Sequence, residues 1–326
     1  MSVKGEAIRS GAAMLVIGLV VALIVADQRG DDLPERSQEP TPTVTSPATP
    51  DVDPSEPATP DPDRYPVPTP PPGLEDLVCR EMQTTTSLRV LSFNTKGGAG
   101  GLSDVVEEVR AVDADLVLLQ EVDRGLARSG AVDQPDAYAE ALGMHAAFSA
   151  NLRVKGGDYG TLVLSRHEII QEGRLDLPGA AGTEPRGLQW VTVDVDGRLV
   201  RVYNTHLQSV GGEVRRQQAR VVAGMLAQEV FPAIVGGDFN ATPGSAPIST
   251  LGNVLTDSWQ AGSGSEVTGR TRKIDYIFVN DHITPVRSRV ARSGVSDHHR
   301  LWADVEVGPG EQCRARDDRS KGKGKR

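Results

Sequence analysis

The chain from Leu88 onward predicts an α+β fold. Short apolar runs of strand length outnumber the amphipathic helical stretches, of which two are clear. The segment Val195-Asp196-Gly197-Arg198 joins two of these runs with Asp-Gly at its centre, the composition of a two-residue hairpin turn. Strands linked so tightly pair antiparallel, so mixed or antiparallel sheets are expected rather than a wholly parallel one.

Arg89–Phe93 opens the series as a run of large apolar residues. Ser103–Val112 follows as a helix, with Ser103 placed to cap it and Val105, Val106 and Val109 sharing one face. Asp115–Gln120 and Gly160–Ser165 are short strands of buried character, and Leu188–Val195 and Leu199–Asn204 flank the hairpin turn. Gly212–Glu229 is the longer helix: Val214, Val221, Val222, Met225 and Leu226 form its apolar stripe, while Arg215, Arg216 and Arg220 make a solvated opposite face. Ala233–Gly236, Ile274–Val279 and Leu301–Glu306 complete the strands, and no internal repeat is evident.

Composition divides the 326 residues into four parts. Gly11–Ala26 is apolar and uncharged, preceded by Lys4 and Arg9 and followed by Asp27, Asp31 and Asp32. That asymmetry predicts a cytoplasmic N-terminus and an exported remainder. The run is short for a spanning helix and Ile24-Val25-Ala26 is a poor cleavage sequence, so residues 1–26 are either a signal anchor or a cleaved signal peptide. The remainder of the chain would then stand outside the cell membrane or be secreted. Between Asp27 and Val78 lie 14 of the 22 prolines, and such a composition cannot bury enough apolar surface to offset its ordering entropy. Residues 27–85 are therefore expected to be a disordered spacer, 86–308 the folded domain and 309–326 a basic disordered tail. Residues 86–308 hold 22 basic and 27 acidic side chains, and a net charge of −5 argues against a tight non-specific DNA binder. Cys79 and Cys313 flank the domain; in an exported protein such a pair is expected to form a disulfide, and no paired Cys or His spacing supports zinc.

Six apolar runs each carry a polar residue suited to phosphate chemistry: RVLSFN ends on Asn94, DLVLLQE on Glu121, VRVYNTH on His206, AIVGGDFN on Asp238 and Asn240, RKIDYIF surrounds Asp275, and SGVSDHH holds Asp297 and His298. A strand that stops on such a group presents it at a sheet rim, where convergent polar groups build active sites. Singly, each has a plain structural meaning: a solvated strand-end acid, an Asx turn, a hydrogen-bonded strand histidine. Together, their order (Asn, Glu, His, Asp-x-Asn, Asp, Asp-His) resembles the endonuclease/exonuclease/phosphatase family of deoxyribonuclease I-like phosphoesterases, from about Ser87 to Val307.

The resemblance implies a four-layer sandwich of two packed mixed β-sheets flanked by helices, with its site at one end. It makes Glu121 the principal metal ligand, with Asn94 and Asp297 near the ion or its waters, and hard oxygen donors of this kind select Mg2+, with Mn2+ or Ca2+ as alternatives. Asp238 would activate water and Asn240 hold a phosphate oxygen, two side chains that period-2 alternation puts on one face with Phe239 on the other. His206 and His298 would contact the scissile phosphate or its leaving oxygen, and Asp275 would bond His298 and keep it charged. Arg124, Arg153 and Lys155 are candidate contacts for substrate phosphates, and Asp158–Arg166 is expected to support the site from beneath. Ala-Thr-Pro follows GDFN in place of the aromatic-arginine continuation of inositol polyphosphate 5-phosphatases, and no hydrophobic hairpin marks a sphingomyelin-cleaving toxin. The expected activity is phosphodiester hydrolysis by a monomer, with nucleic acid the favoured substrate, phospholipid or sphingolipid diesters second, and a non-catalytic binding module on the same fold third.

Overall fold

The computed structural model describes residues 77–315. In chain order these form β1 (Leu77–Met82), β2 (Thr86–Asn94), α1 (Leu102–Arg110), β3 (Leu116–Arg124), α2 (Gln134–Leu142), β4 (His145–Val154), β5 (Gly157–Ser165), β6 (Glu168–Asp176), β7 (Gly187–Val195), β8 (Arg198–His206), α3 (Gly212–Leu226), β9 (Ala233–Asp238), α4 (Ala246–Gly252), β10 (Thr256–Asp257), β11 (Asp275–Val279), β12 (Ile283–Ala291), β13 (Arg300–Val307) and β14 (Gly310–Ala315). One six-stranded sheet runs β12-β13-β2-β3-β5-β4 and a second runs β10-β11-β9-β8-β7-β6. Each contains a single parallel pair at its centre, β2 with β3 and β8 with β9, and every other neighbour is antiparallel.

Alternation along the strands builds the layers. Leu88 and Val90 of β2, Leu116 and Leu118 of β3, Val200 and Val202 of β8, Ile234 of β9 and Ile277 of β11 meet in one core between the sheets. The intervening positions point outward: Leu91, Phe93, Val117 and Leu119 pack with Val105, Val106 and Val109 of α1 and Tyr138 of α2. On the other side Tyr203, Val235 and Phe278 pack with Val222, Met225 and Leu226 of α3 and Leu251 of α4. The result is helix, sheet, sheet, helix, the four-layer sandwich expected. Gly236 sets how closely the sheets approach, because a Cβ there would lie 2.4 Å from Leu118 Cδ1.

The β7–β8 turn has φ of 55° at Asp196 and 87° at Gly197, the left-handed pair that a tight hairpin requires. Elsewhere the structure corrects the sequence expectations. Ser103 does not cap α1; Gly101, at φ 98°, precedes the helix and Leu102 begins it. The long helix stops at Leu226 rather than Glu229, whose carboxylate instead accepts from Tyr203 Oη at 2.5 Å. Strands β4, β6 and β12 and helices α2 and α4 had no counterpart in the sequence reading.

Spacer and tail also lose residues to the fold, since β1 and β14 pair antiparallel along six residues. The physical reason lies in β2 and β13: Thr86 opposes Val307, so the chain enters and leaves the large sheet side by side and both flanks continue the pairing. That register sets Cys79 directly opposite Cys313. The expected signal segment (1–26), most of the spacer and residues 316–326 lie outside the described residues. Among the described residues no helix is long and apolar enough to cross a membrane.

Gly237, at φ 149°, offers a sharp test of the β8–β9 junction, since a Cβ there would sit 2.0 Å from the Thr205 carbonyl oxygen. Gly237→Ala is expected to cost about 1–3 kcal/mol, measured as a lower denaturant midpoint at unchanged slope. An unchanged midpoint would mean that β8 and β9 are not held at this spacing.

Candidate active site

The site is the polar end of the inter-sheet core. Asn94, His206 and Asp238 close β2, β8 and β9 and share the parity of the core-facing Val90, Val202 and Ile234. Glu121 reaches the same rim through a β-bulge. Val117, Leu119 and Val122 all pack on the helix side, a spacing that strict alternation does not allow. The pairing of β3 with β5 shifts between Leu119 and Val122, and Glu121 stands at φ 58° as the extra residue. Asp275 opens β11 rather than ending a strand, yet antiparallel register places it opposite Asp238. Asp297 and His298 belong to the loop before β13, not to a strand.

These groups form one connected array. The Asn94 amide donates to Glu121 Oε1 at 2.9 Å and to Asp238 Oδ2 at 3.2 Å, spanning the two sheets. Asp238 Oδ1 accepts from the Asn240 backbone N–H at 2.9 Å, and Asn240, at φ 48°, donates its side-chain amide to the Leu207 carbonyl at 3.0 Å. His298 Nδ1 lies 2.9 Å from Asp275 Oδ2, and its Nε2 lies 3.7 Å from Asp238 Oδ2. His206 Nε2 approaches the same Asp238 oxygen at 3.4 Å. Phe239 points away into the helix-side core.

Burial separates the protonation states. Desolvation, joined by the Asp275 carboxylate, lifts Asp238 to about 7. Desolvation, then the charges of Arg186 and His298, hold His206 well below 6.5, so it is neutral and its contact with Asp238 is not an ion pair at neutral pH. Burial also opposes charge on His298, but the attraction and hydrogen bond of Asp275, with Asp238 and Asp297 adding, raise it to about 9. A neutral imidazole, a charged imidazole and a carboxylate poised near neutrality therefore surround one point.

Asp238, Asp275 and His298 offer ligand atoms within 4.8 Å of one another. His298 is a poor metal donor because its Nδ1 is spent on Asp275 and its ring is charged. The better oxygen donors are Glu121 and its neighbour Asn94. Three carboxylates, of Glu121, Asp238 and Asp275, gather in this cluster against the charge of His298; burial chiefly, and the Asp275 charge after it, push Asp238 up, and a divalent cation here would offset the gathered negative charge.

The structure does not bring every expected residue here. Asp297 turns to Lys96 Nζ at 3.4 Å and Arg270 Nη2 at 3.3 Å. Arg124 and Asp158 are register partners across β3 and β5, and Arg124 Nε donates to that carboxylate at 3.0 Å. Arg153 Nε is 3.9 Å from Asp158 with its side chain 84 % exposed, and Lys155 is exposed; none of the three lines the cavity at the site. That cavity, about 600 Å³, is bordered instead by Arg128 and Arg186, neither foreseen from sequence. Arg186 is buried beside Glu184 at 3.1 Å and donates to Gln208 at 3.2 Å. It lies in the link between β6 and β7, where no motif marks it.

Two stacked mixed sheets with such an array at one end of their shared core define the deoxyribonuclease I-like fold. Residues 91–298 match the Endonuclease/Exonuclease/phosphatase family, and the chain belongs to it. Among solved structures it is similar to an endonuclease/exonuclease/phosphatase from Bacteroides vulgatus, at 22% identity over 68% of this chain and 99% of that one, with a TM-score of 0.60. A protein of the same description from Beutenbergia cavernae shares 24% identity over 68% and 72% of the two chains, with a TM-score of 0.56. The human Nocturnin catalytic domain with bound sulfate shares 19% identity over 72% and 99%, also with a TM-score of 0.56. No curated protein matches the chain in sequence.

Asp275→Asn removes the charge that holds the His298 proton against burial. The imidazole is expected to titrate near 9 in the parent protein and at a lower pH in the variant, followed by histidine NMR. The same pairing stabilises the fold below pH 6.5, and that contribution fades as pH rises through 9. An unmoved titration would show that Asp275 does not govern His298.

Proposed function

We propose that the protein hydrolyses phosphodiester bonds with the help of a divalent cation, Mg2+ foremost, and that nucleic acid is its substrate. One observation carries this: Asp238, poised to accept a proton, stands within reach of a charged His298 and a neutral His206 in a single cavity. A bound cation, held by Glu121 with Asn94, would offset charge on the phosphoryl oxygens. The side chains supply the rest. Asp238 takes the proton of the attacking water, at an acidity matched to neutral pH. Asn240 fixes the Asp238 carboxylate through its backbone N–H. His298, oriented by Asp275, directs a charged N–H toward the phosphate or the departing oxygen, and His206 offers a neutral imidazole to the same group.

The N-terminal apolar segment supports the further reading that the enzyme works outside the cell, tethered or secreted, as a monomer. The opposed backbone positions of Cys79 and Cys313 support a disulfide there. Intact mass after thiol alkylation of the exported protein checks it: no added alkyl groups without reductant and two with it, whereas two in both cases would show free thiols.

Activity on a panel of phosphoesters with Mg2+ tests the main reading. The pH profile should be bell-shaped, rising as Asp238 ionises, at a pH that falls below about 7 as the cation offsets negative charge at the site, and descending at high pH as His298 loses its proton. Asp238→Ala and His298→Ala should each lower kcat/KM by about 10²–10⁴ with unchanged folding, and Glu121→Ala should raise the cation concentration needed. Full activity in Asp238→Ala, or no hydrolysis across the panel, would refute the proposal.

A further inference from the structure

The cavity that holds the catalytic cluster is also lined by an apolar wall of Leu126, Leu152 and Val154, and by Arg128. Its guanidinium is fixed in two ways. Fully buried Asp123 accepts from Nε at 2.8 Å and from Nη2 at 2.6 Å, and the group lies over the Tyr159 ring at 5.1 Å. The aromatic ring thus covers the cation from one side. The side chain is still 61% exposed, so solvent reaches it despite these contacts.

Asp123 neutralises this arginine, so a phosphate gains little from it, but the plane remains free to stack. Several neighbouring cations also have an acid beside them: Arg124 lies against Asp158, Arg186 against Glu184, and Lys96 shares Asp297 with Arg270. With a domain charge of −5, this is not the continuous basic track that a duplex backbone needs. Planar arginine and aromatic groups beside an apolar wall are instead how proteins hold unpaired bases.

We propose that Arg128 and the apolar wall form a subsite for one unpaired base, carried by the terminal nucleotide of a strand whose phosphate lies at Asp238 and His298. The inference rests on the phosphodiesterase reading and narrows it from duplex DNA to single-stranded ends. The cavity, at about 600 Å³, has the size of a small-ligand site. Asp123 acts as a positioning residue, holding the guanidinium plane.

The test compares kcat/KM of the full chain with Mg2+ on single-stranded oligonucleotides that differ only in whether the terminal nucleotide bears a base or is abasic. Stacking predicts a preference of about tenfold or more for the base. Arg128→Lys keeps a charge opposite Asp123 but lacks the plane, and should bring the ratio close to one, the two substrates being compared on the same folded variant so that any loss of stability cancels from the ratio. Equal rates on the two substrates, a preserved ratio in the lysine variant, or a blunt duplex end cut as fast as the single strand would overturn the subsite. Cleavage of no substrate would instead overturn the phosphodiesterase reading.

Discussion

Everything at the site depends on how the two sheets are pinned together where their apolar core runs out. Gln120 of β3 donates to Asn204 of β8 at 2.8 Å, and Asn204 returns hydrogen bonds to the Leu119 and Leu162 carbonyls at 2.9 and 3.0 Å. One step nearer the rim, the Asn94 amide makes the second crossing to Asp238. Buried polar groups must be satisfied, and side chains from opposite sheets satisfy one another only at a fixed separation and register. The same crossing bonds therefore fix the stacking of the sheets and the spacing of the reacting groups. Continuity with the apolar core also explains the chemistry, because the low dielectric that raises Asp238 depresses His206 within a few ångströms of it.

Sequence legibility followed burial. The central strands, covered on both faces, show as nearly continuous apolar runs and were found with errors of a few residues at their ends. The edges hid. β6 is half exposed along its length and spends Gly173 on a close contact with Trp190; β12 carries Pro285 beside a register shift; β4 is diluted with alanine. Their pairing is dictated by neighbours far along the chain rather than by their own pattern. Helix α2 was different, because its signals were local: Asp133 caps it, Pro135 lies in its first turn and Gly143, at φ 65°, ends it.

For the site, strand-end motifs named Asn94, His206 and Asp238, since a polar group that keeps core parity at a strand terminus has few places to go, whereas Glu121 arrives through a bulge, Asp275 by register and His298 from a loop. Cations were a poorer guide. Nothing in the sequence shows that Arg124 faces Asp158 across a register, that Asp297 is shared by Lys96 and Arg270, or that Arg186 is folded inward from an unpatterned link. A charged side chain declares its type in the sequence but not its partner, and the partner decides whether it is free for a ligand.

The small β1–β14 ribbon has a mechanical meaning. Its outermost rung is Leu77 opposite Ala315, and Cys79 opposite Cys313 is the third rung in. Tension arriving along the chain ahead of Leu77 would meet this ribbon before either large sheet and would peel it rung by rung, the weakest way to load backbone hydrogen bonds. A covalent link at the third rung would halt the tear after two, leaving the catalytic rim undisturbed.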